Sequence, residues 1–276
     1  MSNALPYLVG TLELGLALGG AVLLWRLGLS PAARTRPAPA ILGPWDAPAT
    51  EFFTFVALVV LGSFLAAAGG GWAAKSLALR GDAVTVCSGA AAQLGMLAGV
   101  AAYRFGIEKR PFGPALSQPG IFSSGAVTFL ISLPLLIATA TGWEFLLKQL
   151  GLPAERQDLI AMFANAESPW LLAVMIALAV LIAPLTEEFV FRAGFFRFLR
   201  TRIPRRVALL LPALVFAALH VNWQTLQGLA SLAPLVVLAV VFSLAYEHTG
   251  RIGTAIVAHA CFNLNTILVI LSGITA

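Results

Sequence analysis

The stretch Trp170-LLAVMIALAVLIAPLT-Glu187-Glu188 decides how this chain folds. The residues between Trp170 and Glu187 are almost all apolar, and about 20 such residues in a helix are enough to span a bilayer. Glutamates at membrane depth are costly, so they mark ion paths, proton relays or chemistry by default. We therefore expect the function to be located at this pair and at Arg192, one helical turn later.

The composition of the whole chain is that of an integral membrane protein. Of its 276 residues, 59% are hydrophobic and 11% are charged, whereas soluble domains carry about 25% charged residues. The net charge of +5 comes mostly from arginines in short segments between apolar runs, which is typical of membrane proteins and not of nucleic-acid binding. Cys87 and Cys261 lie within apolar runs and are predicted to be small packing residues.

The apolar runs predict an all-α fold, a polytopic membrane bundle of about eight transmembrane helices with a short amphipathic interfacial helix. The predicted spans are about 5–27, 52–71, 83–103, 120–142, 169–192, 207–224, 229–246 and 252–271. The proline-rich residues 30–48 are predicted to form an interfacial loop, and the polar residues 144–168 the amphipathic helix. We expect an N-terminal four-span region at 1–143 and a C-terminal core at 144–276.

Basic residues indicate how the bundle is oriented. If the N-terminus is outside, most of the arginines and lysines fall in inside loops, including the cluster at 197–206. The positive-inside rule therefore predicts a multi-pass protein of the plasma membrane with an external N-terminus.

His220 and His259 are predicted to lie near the glutamate pair. The helix that carries Glu187 turns at about 203–204, and Glu187 and His220 are equally far from this turn. At 1.5 Å per residue both reach the same depth from the same side. His259 enters from that side too and shares a helix face with Asn263 at i+4. It lies closer to its loop, so it reaches the pair only if its helix tilts or begins later.

Each of these residues also has a purely structural interpretation. Glu188 and Arg192 at i, i+4 could be an ion pair that neutralises both charges, and His220 could be a hydrogen-bonded core histidine. His259 with Asn263 could join two helices through contacts worth about 0.6–2 kcal/mol. These interpretations weaken jointly, because two of the three histidines fall inside spans.

The chemistry available to the set is hydrolytic. Glu188, in register with Arg192, would stay ionised, and Glu187 would be free to take a proton from water. His220 could hold that water. A partner such as His259 with Asn263 could donate hydrogen bonds to the oxyanion of a tetrahedral intermediate.

The same side chains could instead bind a metal. Glu187, His220 and His259 would be the ligands of a divalent ion such as zinc, with an open water site. A His-Glu-x-x-His pair is absent from the sequence, which excludes the ordinary zincin arrangement.

Three motifs in order resemble the CPBP family, the CAAX-protease and bacteriocin-processing intramembrane proteases also called Abi proteins. Its EExxxR, FxxxH and HxxxN motifs are similar to Glu187-Glu188-FVF-Arg192, Phe216-AAL-His220 and His259-ACF-Asn263. The resemblance covers about 153–265. One departure is Ala193, where the family often has glycine; Gly194 follows and still permits close helix packing.

The resemblance implies an intramembrane endopeptidase whose site opens toward the cytoplasm. It implies catalytic roles for Glu187, Glu188, Arg192, His220, His259 and Asn263, in which Glu187 and His220 activate water and His259 with Asn263 stabilises the oxyanion. The implied partners are a membrane-associated peptide or protein substrate and the lipid bilayer. No cofactor is required by this mechanism, and zinc is the alternative. The short chain is typical of bacterial members, for which prenylated CAAX substrates are a family label more than an expected reaction.

Two other function classes stay open at this point. A proton-coupled transporter would also bury Glu, Arg and His in its spans. It would be expected to show two related halves, whereas the polar residues here are concentrated in the C-terminal half. An immunity or scaffold protein could keep the same fold without turnover.

Overall fold

The described part of the chain is built from helices and contains no strands. The computed structural model describes residues 4–35, 42–108, 120–152, 163, 168–223 and 226–274. The helices are α1 (Ala4–Leu29), α2 (Pro31–Arg34), α3 (Ala49–Ser76), α4 (Asp82–Gly106), α5 (Ile121–Gln149), α6 (Pro169–Arg200), α7 (Arg205–His220), α8 (Leu232–Thr249) and α9 (Ile252–Ser272). A 3₁₀ turn, Leu226–Ser231, precedes α8.

Seven of these helices are long and apolar enough to cross a membrane. The exceptions are α2, which is a single turn, and α7, which has 16 residues. Counting α7 as the shortest span, the structure confirms the predicted all-α bundle of about eight helices.

α6 continues without a break from the apolar run into the basic segment. Ser168 accepts a hydrogen bond from the backbone N–H of Leu171 at 3.3 Å, and Pro169 occupies the first helical position. Both features favour a helix start at this point. The helix widens into π turns at Leu178–Ile182 and Phe189–Phe196, on either side of the glutamate pair. Such turns are frequent at functional sites, because they change the direction in which side chains point.

The α6–α7 turn lies where the sequence predicts it. Residues 201–204 join the two helices, and α7 begins at Arg205, directly after Pro204. The far end of α7 differs from the prediction, since the helix ends at His220 and not at residue 224. His220 is therefore the last helical residue of its span.

The polar stretch predicted at 144–168 begins inside α5. This helix extends past the predicted end at residue 142 to Gln149, and Glu144 pairs with Lys148 at 2.7 Å on its exposed side. Of the remaining stretch, 153–162 and 164–167 lie outside the described residues. Phe163 is helical and buried.

Residues 42–48 of the predicted loop at 30–48 contain no helix or strand, and part of this segment is buried, which the sequence did not predict. Residues 42–48 form an extended segment beside the basic end of α6. Trp45 is 8% exposed and packs edge-on against Phe55 and Tyr103. Three arginines, Arg197, Arg200 and Arg202, donate hydrogen bonds to backbone carbonyls of Leu42, Gly43, Pro44, Trp45 and Ala47. The segment is held in place because its carbonyls accept hydrogen bonds from these arginines and the Trp45 ring packs against neighbouring aromatic rings.

The N-terminal helices pack against the helices that carry the motifs. α3 and α4 approach closely, since a Cβ on Gly95 would lie 2.1 Å from the carbonyl oxygen of Gly62. α4 in turn contacts α6 at the glutamates, and α5 packs along α1, α8 and α9. The division of the chain into 1–143 and 144–276 stays a prediction.

Candidate active site

The structure brings the predicted polar residues of three helices together. Glu187, Glu188 and Arg192 come from α6, His220 from the end of α7 and His259 from α9. The two glutamates, Arg192 and His259 are all buried. Buried charges require paired and hydrogen-bonded surroundings, so the partners of each group define its role.

Glu188 is the glutamate of the pair that contacts Arg192. Its Oε1 lies 2.9 Å from Nη1 of Arg192, and both side chains are almost completely buried. Arg192 also donates from Nη2 to the backbone carbonyl of Ala239 at 3.2 Å. Its guanidinium lies over the rings of Phe216 and Phe242, 4.9 and 5.5 Å from their centroids. The arginine is thus held from several sides, and it neutralises Glu188.

His259 contacts both glutamates. Its Nδ1 lies 2.8 Å from Oε1 of Glu188, and its Nε2 lies 3.9 Å from Oε2 of Glu187. α9 begins at Ile252, as the sequence predicts, and the expected gap in depth is closed by where this first turn packs in the bundle. Ile252, the first residue of α9, belongs to the same buried cluster as Phe196 and Leu209, which lie about one helical turn from the α6–α7 turn on either side. α9 therefore begins deeper than α7 does.

Glu187 and His220 meet at the depth predicted from the hairpin. Nε2 of His220 lies 3.8 Å from Oε2 of Glu187. The other ring nitrogen, Nδ1, lies 2.8 Å from the backbone carbonyl of Phe216, one turn earlier in α7. Because a carbonyl only accepts hydrogen bonds, Nδ1 carries the proton and Nε2 faces Glu187. The side chain of His220 is 32% exposed, so this part of the site is open to its surroundings.

Asn263 makes a contact between two helices, the structural role that the sequence left open beside its oxyanion role. Its Nδ2 donates to the backbone carbonyl of Ala179 at 2.7 Å. Ala179 lies within the π turn Leu178–Ile182, where the N–H of Ala183 bonds to the carbonyl of Leu178. In the same pattern the carbonyl of Ala179 would accept from residue 184, but Pro184 has no N–H. One hydrogen of the Asn263 amide therefore satisfies a carbonyl that α6 leaves unpaired.

Gln93 is a residue of the site that the sequence reasoning missed. It lies on α4, and its Nε2 donates to Oε1 of Glu187 at 3.1 Å. The available signal was a carboxamide in the middle of the predicted span 83–103, where polar side chains commonly bind a neighbouring helix.

The predicted metal ligands do not form a metal-binding arrangement in the described residues. No group of three or more His, Cys, Asp or Glu side chains there is placed to hold an ion. The types of donor suit zinc, but tetrahedral bonds of about 2.0–2.1 Å put neighbouring ligand atoms about 3.3 Å apart. Oε2 of Glu187 lies 3.8 Å from Nε2 of His220 and 3.9 Å from Nε2 of His259. Both distances are wider than the spacing of neighbouring zinc ligands.

Comparison with known proteins adds evidence for the second half of the chain. No curated protein and no solved structure matches the chain. Residues 169–265 match the family described as type II CAAX prenyl endopeptidase Rce1-like, and this region contains all three motifs. At the family level the match supports a membrane-embedded protease of the CAAX type. Over residues 169–265 the chain is therefore similar to the type II CAAX prenyl endopeptidases, which confirms the resemblance predicted from its motifs.

Proposed function

We propose that the protein is an intramembrane endopeptidase in which Glu187 activates water to hydrolyse a peptide bond of a membrane-associated substrate. The observation that carries the proposal is the convergence of three atoms. Oε2 of Glu187 lies 3.8 Å from Nε2 of His220 and 3.9 Å from Nε2 of His259. These distances are too long for direct hydrogen bonds. The oxygen of a water molecule placed between the three atoms could, however, hydrogen-bond to groups spaced in this way.

The two histidines of this cluster would have different roles. His220 accepts a hydrogen bond from the attacking water through its unprotonated Nε2, while Glu187 takes the proton as the carbon–oxygen bond forms. His259, held by Glu188 through Nδ1, donates to the oxyanion from Nε2 in the form that has taken up a second proton from solvent before the attack. Glu187 then passes its proton to the leaving nitrogen as the carbon–nitrogen bond breaks.

Asn263 would complete the oxyanion site. One of its two amide hydrogens is used by Ala179, which leaves the second for the substrate. The same contact fixes the amide against the π turn of α6, so it needs no reorganisation during the reaction.

The partly exposed side chain of His220 marks the accessible side of the site. Glu187 lies about 20 Å along α6 from Arg200, at 1.5 Å per residue, so the peptide bond is cut deep within the bilayer. We place the arginine-rich ends of α6 and α7 in the cytoplasm and the N-terminus outside. A substrate would enter from the cytoplasmic side. Thr201→Cys, in a chain with Cys87→Ser and Cys261→Ala, should react with an impermeant maleimide only from that side, whereas labelling from outside reverses the orientation.

The decisive experiment compares proteome and peptide-library cleavage by wild type and Glu187→Ala in liposomes. Wild type should cleave, and Glu187→Ala should not. Glu13→Ala is the matched control, because Glu13 is a glutamate within α1 that accepts a hydrogen bond from Asn265, away from the site. Equal cleavage by wild type and Glu187→Ala contradicts the proposal. Solute or proton uptake that Glu187→Gln abolishes would favour a transporter instead. Prenylated and unprenylated peptides of one sequence show whether the lipid is recognised.

The same protein in liposomes also tests whether zinc takes part in the reaction. Our proposal requires no metal, so metal-free protein, verified by elemental analysis, should keep full activity after chelation. Loss of activity that zinc alone restores would assign Glu187, His220 and His259 as metal ligands.

A further inference from the structure

Gln93 connects the N-terminal helices to the candidate base. Its Nε2 donates to Oε1 of Glu187 at 3.1 Å, although Gln93 lies outside the region that matches the protease family. α4 begins at Asp82, so the helical rise puts Gln93 about 16 Å into the span. An amide at that depth is costly unless it has a partner.

The two carboxylate oxygens of Glu187 face different groups. Oε1 accepts from Gln93, and Oε2 faces the Nε2 atoms of His220 and His259. Within the described residues, Gln93 is the one side chain that makes a direct hydrogen bond to Glu187. Holding one oxygen limits rotation of the carboxylate, and this limit keeps the other oxygen toward the histidines.

Gln93 differs from an amide that merely joins two helices. Its Oε1 is buried and has no hydrogen-bond partner among the described residues. Buried polar side chains normally have partners, and an amide placed only for helix adhesion would be expected to use both ends. In Gln93 only the N–H end of the amide has a partner, and that partner is Glu187.

We propose that Gln93 is a positioning residue of the active site, which holds Glu187 through Oε1 so that Oε2 faces His220 and His259. The inference rests on the proposed function, because it requires Glu187 to be the base. It also assigns a role to α4, for which the sequence offers no motif.

The test uses Gln93→Leu and Gln93→Met in the full-length protein in liposomes. Both variants keep the approximate size of the side chain and remove the N–H donor. A small misplacement of a reacting group can lower turnover about a hundredfold, so we expect kcat to fall at least tenfold while KM stays within twofold. Ser88→Ala is the matched control, since Ser88 donates to the carbonyl of Ala67 across the α3–α4 contact. It should keep kcat within twofold.

An infrared measurement follows the hydrogen bond without reference to turnover. The carboxylate bands of Glu187 are identified as those that Glu187→Gln removes. They should shift in Gln93→Leu and remain in place in Ser88→Ala.

The outcomes separate this inference from the proposed function. If Glu187→Ala abolishes cleavage but Gln93→Leu keeps wild-type kcat, the inference is overturned and the proposed function stands. Unshifted carboxylate bands in Gln93→Leu overturn it as well. If wild type and Glu187→Ala cleave equally, or if wild type cleaves nothing, both the proposed function and the positioning role are contradicted.

Discussion

Nδ1 of His259 lies 2.8 Å from Oε1 of Glu188, 71 positions away in the sequence. A carboxylate only accepts hydrogen bonds, so His259 donates from Nδ1 and turns Nε2 toward Glu187. Arg192 lies 2.9 Å from the same oxygen of Glu188. One glutamate of the adjacent pair therefore orients a histidine toward the other.

The two histidines should respond differently to substitution. His220→Ala should lower kcat by about 10²–10⁴-fold, the usual contribution of a positioned acid–base group, with little change in melting temperature. The hydrogen bond of its Nδ1 is to Phe216 in its own helix, and its side chain is partly exposed. His259→Ala should lower both kcat and melting temperature, because it leaves a buried carboxylate without one of its donors. Cleavage assays and thermal unfolding in detergent measure both effects, and wild-type activity in His220→Ala would contradict the assignment.

The Glu188–Arg192 pair should be required for stability. Arg192→Met leaves the buried Glu188 with His259 but without its arginine, and breaking such a buried ion pair costs about 3–5 kcal/mol. Glu188→Gln combined with Arg192→Met removes both charges and should recover much of that loss in denaturant unfolding, without recovering activity. A double variant as unstable as Arg192→Met alone would show that the pair is not the cause.

Asn263 should contribute to stability through Ala179 and to activity through its second hydrogen. Asn263→Ala should cost about 0.6–2 kcal/mol in unfolding free energy and lower kcat. Pro184→Ala restores an N–H to α6, so the double variant should regain stability while kcat stays low. If the double variant regains activity too, Asn263 has only a structural role.

Gly194 should be sensitive to size because of Phe55. A Cβ at Gly194 would lie 2.5 Å from the Phe55 ring, and such overpacking costs about 1–3 kcal/mol. Phe55→Leu should partly restore stability in Gly194→Ala. Gly142→Ala is the control, because nothing lies within 4 Å of a Cβ there. Equal melting temperatures for the two alanine variants would contradict this account.

Hydrophobic length predicts most of this fold, because a bilayer requires long apolar helices regardless of their neighbours. The structure departs from the sequence-based expectations where contacts with other parts of the protein replace contacts with water or lipid. Residues 42–48 contain prolines and a tryptophan, and they are partly buried because arginines of the α6 end bind their carbonyls. α5 continues past residue 142 because nothing in Glu144–Gln149 stops a helix.

Within the site, regular helix geometry and local spacing are sufficient for some contacts and insufficient for others. The Glu188–Arg192 pair follows from i, i+4 spacing, and the meeting of Glu187 with His220 follows from equal distances to one turn. The close approach of His259 depends on how deep α9 begins, and this depth depends on packing around Ile252.

Asn263 and Gln93 depend still more on the assembled bundle. Asn263 binds Ala179 because a π turn and Pro184 leave that carbonyl free, and Gln93 reaches Glu187 because α4 packs against α6. The sequence alone determines a membrane bundle, its turns and the pairing of Glu187 with His220, since each follows from helix length and periodicity. Only the tertiary structure decides which oxygen of Glu187 faces the histidines, because that choice is made by a side chain 94 positions away.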